Sequence, residues 1–346
     1  WSDKRQWNEV NNAFAGYGCG WIATPNGIHT GKTLVKYFID RIVSGDAVSE
    51  IFSSVDGNFG FACQVRDRIY IAGDLSRSTP IFYKQISPLE IMVSDDIQKL
   101  AGRLSKDVDR YSLLEMATSG YVTGHNTLYQ GVKGLLPGQI VVWDGQNTQA
   151  KSIRYFEYKN SYSFQEDIND KLDGLDEALS ESFSVIIESL NGHQAIVPLS
   201  GGLDSTLVAV MLKKLGYDNV LCISYGVPGN KDSKKSEETA EKLGLRWMMV
   251  PYYRDDHQRR AYSSEFKSFA EFSFNGVAVP HIDDWIALNK LKELEEVDTR
   301  SIILPGHTGD FISGEHLKYV DGLFGDSSFR NIHGSIVKKH YSLWTN

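Results

Sequence analysis

From residue 1 to about 160 the apolar residues fall in short β-branched or aromatic runs, "YGCGWIA", "GFACQVR", "RIYIAG", "IFYKQ", "EIMVSD" and "QIVVWD". Gly, Asp and Asn separate them, a pattern that predicts strands joined by turns. Two stretches follow a different period. In "GKTLVKYFIDRIVSG" (31–45) Leu34, Phe38, Ile39 and Ile42 recur on one helical face, and "DRYSLLEMATSG" (109–120) is a shorter case.

After "YKNSYSFQED" the rhythm changes. Residues 167–191 place Leu172, Leu175, Leu179, Phe183, Ile186 and Ile187 at helical spacing and lead into an apolar run, Ala195 to Leu199. Strands and helices then alternate: "NVLCISY" (219–225), a helix over 231–244, "RWMMVPY" (246–252), a mostly helical 258–296, and "SIILPG" (301–306). Such alternation predicts an α/β fold with a parallel, doubly wound sheet whose ligands sit at the carboxyl ends of the strands. The expected division is a β-rich domain over 1–165 and the doubly wound domain over 166–346. No internal repeat and no low-complexity segment is visible.

At 346 residues and 41% hydrophobic, the chain is long enough for two cores. Its net charge of −8 excludes the global basic field that nucleic-acid binding usually requires, so a small anionic substrate would need a locally positive pocket. No apolar run approaches the roughly 18 residues of a membrane span, and the opening "WSDKRQWNEV" is too polar for a signal peptide. A soluble, cytoplasmic protein is the expectation. Cys19, Cys63 and Cys222 lack both pairing and metal spacing, which predicts buried small hydrophobes.

The stretch "QAIVPLSGGLDSTLVAVMLKKLG" (194–216) concentrates candidate chemistry at a strand-to-helix turn. Gly201 and Gly202 permit close backbone approach, Ser200 and Ser205 supply hydroxyl donors, and the helix start presents N–H groups to an anion. Phosphate is the natural guest. Asp204 would repel phosphate unless a divalent cation sits between them, and Mg²⁺ removes that conflict. The P-loop lysine has no counterpart here. A plain glycine turn with Asp204 as a helix cap is the competing reading.

S-G-G-x-D-S on such a turn resembles the pyrophosphate loop of the ATP-pyrophosphatase superfamily, which cleaves ATP between its α and β phosphates. "SYGVPGNKDSKKSEETAEKLG" (224–244) resembles the asparagine synthetases after their second strand, and "LPGHTGDFISG" (304–314) stands where that family has a second loop, with Gly306 and Asp310 in register. "VDGNFGFACQV" (55–65), "AGDLSRSTPIFY" (72–83) and "TLYQGVKGLLPGQIVVW" (127–143) resemble the glutamine-amidotransferase half of the same enzymes. The resemblance implies an Ntn-hydrolase-like first domain and a second domain like the adenine nucleotide alpha hydrolases.

It further implies an ATP-dependent ligase that adenylates a carboxylate, releases pyrophosphate and transfers the acyl group to ammonia. The pyrophosphate would lie on the N–H groups of Gly201, Gly202, Leu203, Asp204 and Ser205 and on the Ser200 and Ser205 hydroxyls, with Mg²⁺ on Asp204 and Asp310. The adenine would lie against Pro198, Leu199 and Tyr225, with Gly306 near the ribose or α-phosphate. His307 replaces the family's catalytic-loop glutamate and is read as a proton acceptor, an anion ligand or a structural residue. The glutamine-binding motif is reduced to Asn26-Gly27 and Cys19 sits inside a strand-like run, so the first domain is expected to be a degenerate scaffold. "NGVAVPHIDDWIAL" (275–288) brings His281, Asp283 and Asp284 into one loop as a candidate carboxylate pocket; Arg254, His257, Arg259 and Arg260 are weaker candidates. Lys338 and Lys339 are the candidates for the family's C-terminal lysine. Two alternatives remain: a synthetase closing a lactam or macrolactam with an amine of its own substrate, and a non-catalytic nucleotide-binding scaffold. A homo-oligomer is left open.

Overall fold

A computed structural model describes residues 7–11, 14–101, 107–145, 150–159, 167–251, 253, 255, 262–292, 297–307, 309 and 329–341. They fall into two compact units. The first holds the described residues up to 159 together with Phe272–Pro280; the second holds those from 167 to Glu271 and from His281 onward.

In chain order the first unit contains strands β1 (Asn8–Asn11), β2 (Ala15–Thr24) and β3 (Gly27–Thr30), then helices α1 (Gly31–Ser44) and α2 (Val48–Ser53). Strands β4 (Asp56–Val65), β5 (Arg68–Gly73), β6 (Phe82–Ser87) and β7 (Glu90–Ser94) follow, then helices α3 (Ile97–Ala101) and α4 (Arg110–Ser119), and strands β8 (Lys133–Gly134), β9 (Gln139–Trp143) and β10 (Lys151–Arg154). The order β1-β2-β4-β5-β9-β10, with β3 paired to β2, makes one antiparallel sheet; β7-β6-β8 makes another. The face of α1 read from the spacing is buried, joined by Val35. Its centre is Phe38, whose ring centroid lies 4.6 Å from Phe52, 4.9 Å from Phe61 and 5.2 Å from Phe59. On the opposite face of the sheet Ile71 and Val141 pack with Ile81 and Leu135. The unit is thus layered helix on sheet on sheet.

The second unit contains α5 (Ile168–Leu190), β11 (Ala195–Pro198), α6 (Leu203–Lys214), β12 (Val220–Gly226), α7 (Lys231–Leu243) and β13 (Arg246–Pro251). It continues with α8 (Ser264–Ser273), whose last two residues fall in the first unit, α9 (Asp283–Leu291), β14 (Ile302–Ile303) and α10 (Phe329–His340). All four strands are parallel, in the order β13-β12-β11-β14. Alternating side chains show the double winding. Ala195, Val197, Val220 and Cys222 pack with Phe183 of α5, Leu212 of α6 and Ala240 of α7, whereas Ile196, Leu221 and Ile223 pack with Ala287 and Leu291 of α9. The chain steps outward from β11 through β12 to β13 and then returns to the other side of β11 as β14. The gap between β11 and β14 is therefore the switch point where such sheets bind ligands.

Two expectations need refinement. The mostly helical 258–296 is interrupted within its described part, because Phe272–Pro280, from the end of α8 onward, belongs to the first unit, where Val122 N–H donates to the Val277 carbonyl at 2.7 Å and Leu128 N–H to that of Gly276 at 2.8 Å. The Asn275 side chain accepts from the N–H groups of Val277 and Ala278, both at 3.0 Å, and Gly276 sits at φ +65°, so a local turn outcompetes the helix. In α5 the apolar stripe is buried at Phe183 and Leu190, but Leu172 and Leu175 are 56% and 51% exposed.

All three cysteines are buried, and burial pushes the Cys63 thiol well above its ordinary range and that of Cys222 up to about 11. The native protein is expected to leave Ellman's reagent unreacted at pH 8 over minutes and to titrate three thiols once unfolded in denaturant. Rapid stoichiometric labelling of the native state would contradict this burial.

Candidate active site

The turn from β11 into α6 is built from small residues. Gly201 has φ +72°, a conformation that costs an ordinary side chain energy, and a Cβ there would stand 3.1 Å from the Asp232 carbonyl and 3.3 Å from Cβ of Lys235. The two hydroxyls brace the turn from inside. Ser205 Oγ accepts from Ser200 N–H at 3.1 Å and lies 3.1 Å from Ser200 Oγ, while Ser205 itself is buried. Gly202 is the cap residue of α6 and supplies no side-chain acceptor for the first-turn N–H groups, while its own N–H donates to Ser200 Oγ at 3.4 Å. Asp204 stands in that first turn. The helix dipole attracts an anion there by about 0.3–1 kcal/mol, more if partly buried.

A second loop, after β14, comes to the same spot. A Cβ on Gly306 would be 2.6 Å from the Ser205 nitrogen, and one on Gly309 would be 2.2 Å from Cγ of Asp204. Only glycine allows that approach. The contact lies at the switch point between β11 and β14, where the parallel topology predicts a ligand.

Two cavities open around these strand ends. One of about 210 Å³ is lined by Ser200, Ser224, Asn230 and Asp232, among others, and abuts the first loop. The other, about 460 Å³, has largely apolar walls, including Ile223, Ala287, Leu288 and Ile303, with His281, Asp284 and His307. Pro198 and Tyr225 line both. Tyr225 O–H donates to Asp284 Oδ1, His281 Nδ1 lies 3.4 Å from Asp284 Oδ2, and the His281 and His307 rings stand edge to face with centroids 5.8 Å apart. Beneath the loop, the Leu199 carbonyl accepts from Ser224 Oγ at 2.9 Å and Ser236 Oγ at 2.7 Å. Those bonds hold the end of β11 against β12 and α7.

Pro198, Leu199, Ser200 and Tyr225 line the smaller cavity and Pro198, Tyr225 and His307 the larger, whereas Gly201, Gly202, Leu203, Asp204, Ser205 and Gly306 line neither of the two; Gly306 packs on Asp204 and Ser205 instead. The Leu203 side chain is 83% exposed, so only its backbone faces the loop. Asp310 lies outside the described residues, as do Arg254, His257, Arg259 and Arg260. His281 and Asp284 do line the larger cavity, yet Asp284 belongs to the first turn of α9 and not to a loop, and nothing is described of the Asp283 side chain. Lys338 and Lys339 lie on α10 and line neither cavity. Asn230, the cap of α7, accepts from Ser233 N–H at 2.7 Å and lines the smaller cavity; its place before "KDSKKSEETAEKL" was a legible cap signal that the motif reading passed over. Among the described residues no group of three or more metal-ligating side chains converges. In the first unit Cys19 is 5% exposed, with Sγ 3.5 Å from Thr79 Oγ1. No helix among the described residues is long and apolar enough to cross a membrane.

Residues 193–260 match the family model for asparagine synthase, so the resemblance read from the motifs holds over that segment. Similar solved structures include a protein from Methanocaldococcus jannaschii described as a predicted subunit of tRNA methyltransferase, at 23% identity and TM-score 0.22, covering 43% of this chain and 65% of that one. NH3-dependent NAD synthetase from Campylobacter jejuni is similar at 18% identity and TM-score 0.27, covering 47% and 72%. Glutamine phosphoribosylpyrophosphate amidotransferase from B. subtilis is similar at 10% identity and TM-score 0.27, covering 73% and 52%. No curated protein matches the chain. At these identities and scores function has to be argued from the site itself.

Gly306→Ala is expected to destabilise the protein by about 1–3 kcal/mol, because its methyl would overlap the Ser205 nitrogen. Gly174→Ala, in the interior of α5 with nothing within 4 Å of its Cβ, should stabilise by about 0.5–1 kcal/mol. Urea unfolding of both variants checks the pair. A neutral Gly306→Ala would mean that the two loops do not touch as described.

Proposed function

We propose that the second unit is an ATP-dependent ligase that activates a carboxylate as its acyl-adenylate and passes the acyl group to ammonia, forming an amide. The observation that carries this reading is the packing of Gly306 and Gly309 onto Asp204 and Ser205 at the β11/β14 switch point, within the asparagine synthase-type context of residues 193–260. A helix start bordered by small residues suits a departing diphosphate. The larger cavity, with Pro198 and Tyr225 in its wall, suits the nucleoside.

Carboxylate is a poor electrophile because its leaving group would be oxide. In the first step a substrate carboxylate oxygen attacks the α-phosphorus, the bond to the bridging oxygen breaks, and pyrophosphate leaves with that electron pair. Ammonia then attacks the acyl carbon, AMP leaves, and the nitrogen loses a proton. Negative charge grows on the pyrophosphate, and in this reading backbone N–H groups of the 201–205 turn and the Ser200 hydroxyl donate to it. Removing one such preorganised donor typically costs about 3 kcal/mol, roughly a hundredfold in rate. The site fits Mg²⁺, because that ion keeps several waters and takes one or two carboxylates together with substrate phosphates, and Asp204 supplies a carboxylate in the first turn of α6. When bound, the ion would neutralise phosphate charge beside Asp204, and by resemblance Asp310 is its second ligand. His307 lines the larger cavity, and in this reading it binds an anionic substrate or accepts a proton. Cys19 is buried within β2, so free ammonia, or ammonia from a partner, is the nitrogen source of this reading.

The purified protein, incubated with ATP, Mg²⁺, ammonium and a panel of carboxylic acids, is expected to release pyrophosphate and AMP with at least one acid. Asp204→Ala should lower that rate by about a hundredfold or more while leaving the unfolding midpoint near wild type. Unchanged turnover in Asp204→Ala, or ADP in place of AMP, would overturn the adenylation mechanism.

A further inference from the structure

We infer that Asp284 is the residue by which the larger cavity selects its nucleoside, a fixed carboxylate that accepts a hydrogen bond from the exocyclic amine of adenine. The inference rests on the proposal that this site binds ATP. Ile223, Ala287, Leu288 and Ile303 give the cavity apolar walls of the kind that accept a ring, and Asp284 lines the same cavity. Its side chain is 30% exposed, so the carboxylate is only partly desolvated and keeps room for a further donor.

Asp284 is held rather than free to turn. Tyr225 O–H donates to Oδ1, and His281 Nδ1 lies 3.4 Å from Oδ2. Its position in the first turn of α9 favours the negative charge. Each carboxylate oxygen carries two lone pairs, so both can accept another hydrogen bond without releasing these partners. Tyr225 also borders the smaller cavity beside the first loop, which puts the Tyr225–Asp284 pair on the nucleoside side of the phosphates in the proposed pose. Adenine presents an N6 amine, a donor; hypoxanthine and guanine present a carbonyl oxygen at the same ring position, which would face the carboxylate lone pairs. Exchanging a charge-assisted hydrogen bond from N6 for a carbonyl oxygen that faces the carboxylate corresponds to about a 10- to 100-fold loss in affinity.

Calorimetric titration of the full chain with ATP, ITP and 2′-deoxy-ATP, in Mg²⁺ and without acyl substrate, tests the assignment. Wild type is expected to bind ATP about 10- to 100-fold more tightly than ITP. In Asp284→Asn, whose amide offers either a donor or an acceptor, the ratio should fall below about threefold, chiefly because ITP binds better. Asp284→Ser serves if the amide variant does not fold. An unchanged ratio in a folded variant, or a wild type that binds ATP and ITP equally, overturns the inference and leaves nucleotide binding intact. A variant that instead loses its discrimination against 2′-deoxy-ATP shows that the carboxylate reads the ribose, which also overturns it. Absence of binding by any of the three nucleotides defeats the inference together with the proposed function.

Discussion

Two loops can serve one anion site only if one of them surrenders its side chains. Gly306 and Gly309 do so against Asp204 and Ser205, at distances no Cβ could share. The rest of the cleft depends on that contact. It draws the loop after β14 onto the start of α6 and packs against Asp204 from one side. The sheet order makes the contact possible, since β11 is flanked by β12 on one side and β14 on the other, and connections leaving the carboxyl ends of β11 and β14 meet at the gap between them.

Anion binding by such a turn also suits the overall charge. A chain at net −8 cannot attract phosphate with a broad positive field. Backbone N–H groups and a helix dipole act at short range and do not depend on net charge, so an acidic protein can hold an anion at one turn while repelling it elsewhere. The hydrogen bonds of Ser205, Ser224 and Ser236 into the turn and the end of β11 keep that arrangement rigid before any ligand arrives.

Much of the fold was legible in the sequence because it is local. Short β-branched or aromatic runs between turn residues marked β2, β4, β5 and β9; the helical face of Leu34, Phe38, Ile39 and Ile42 marked α1; and alternation of strands and helices after residue 195 marked the doubly wound sheet. The S-G-G-x-D-S turn was legible too, since its chemistry lies within six positions. What escaped depends on distance along the chain. Tyr225 and Asp284 are 59 residues apart, and no spacing rule links a strand end to a helix start across that gap. The placing of Phe272–Pro280 in the first unit escaped for a related reason: Val277 is apolar enough for a helix face, but its burial is beside Phe82, Ile97 and Met116. Leu172 and Leu175 show the converse error, in which amphipathic spacing predicts a buried face that α5 leaves exposed.

The most direct test is diffraction from crystals grown with Mg²⁺ and α,β-methylene-ATP, whose bridging carbon prevents cleavage at the reacting bond. The account predicts density for the β- and γ-phosphates within hydrogen-bonding distance of the N–H groups of residues 201–205. The purine should lie in the cavity walled by Ile223 and Leu288. Phosphate density away from the Ser200–Ser205 turn, with that turn unchanged and empty, would contradict it.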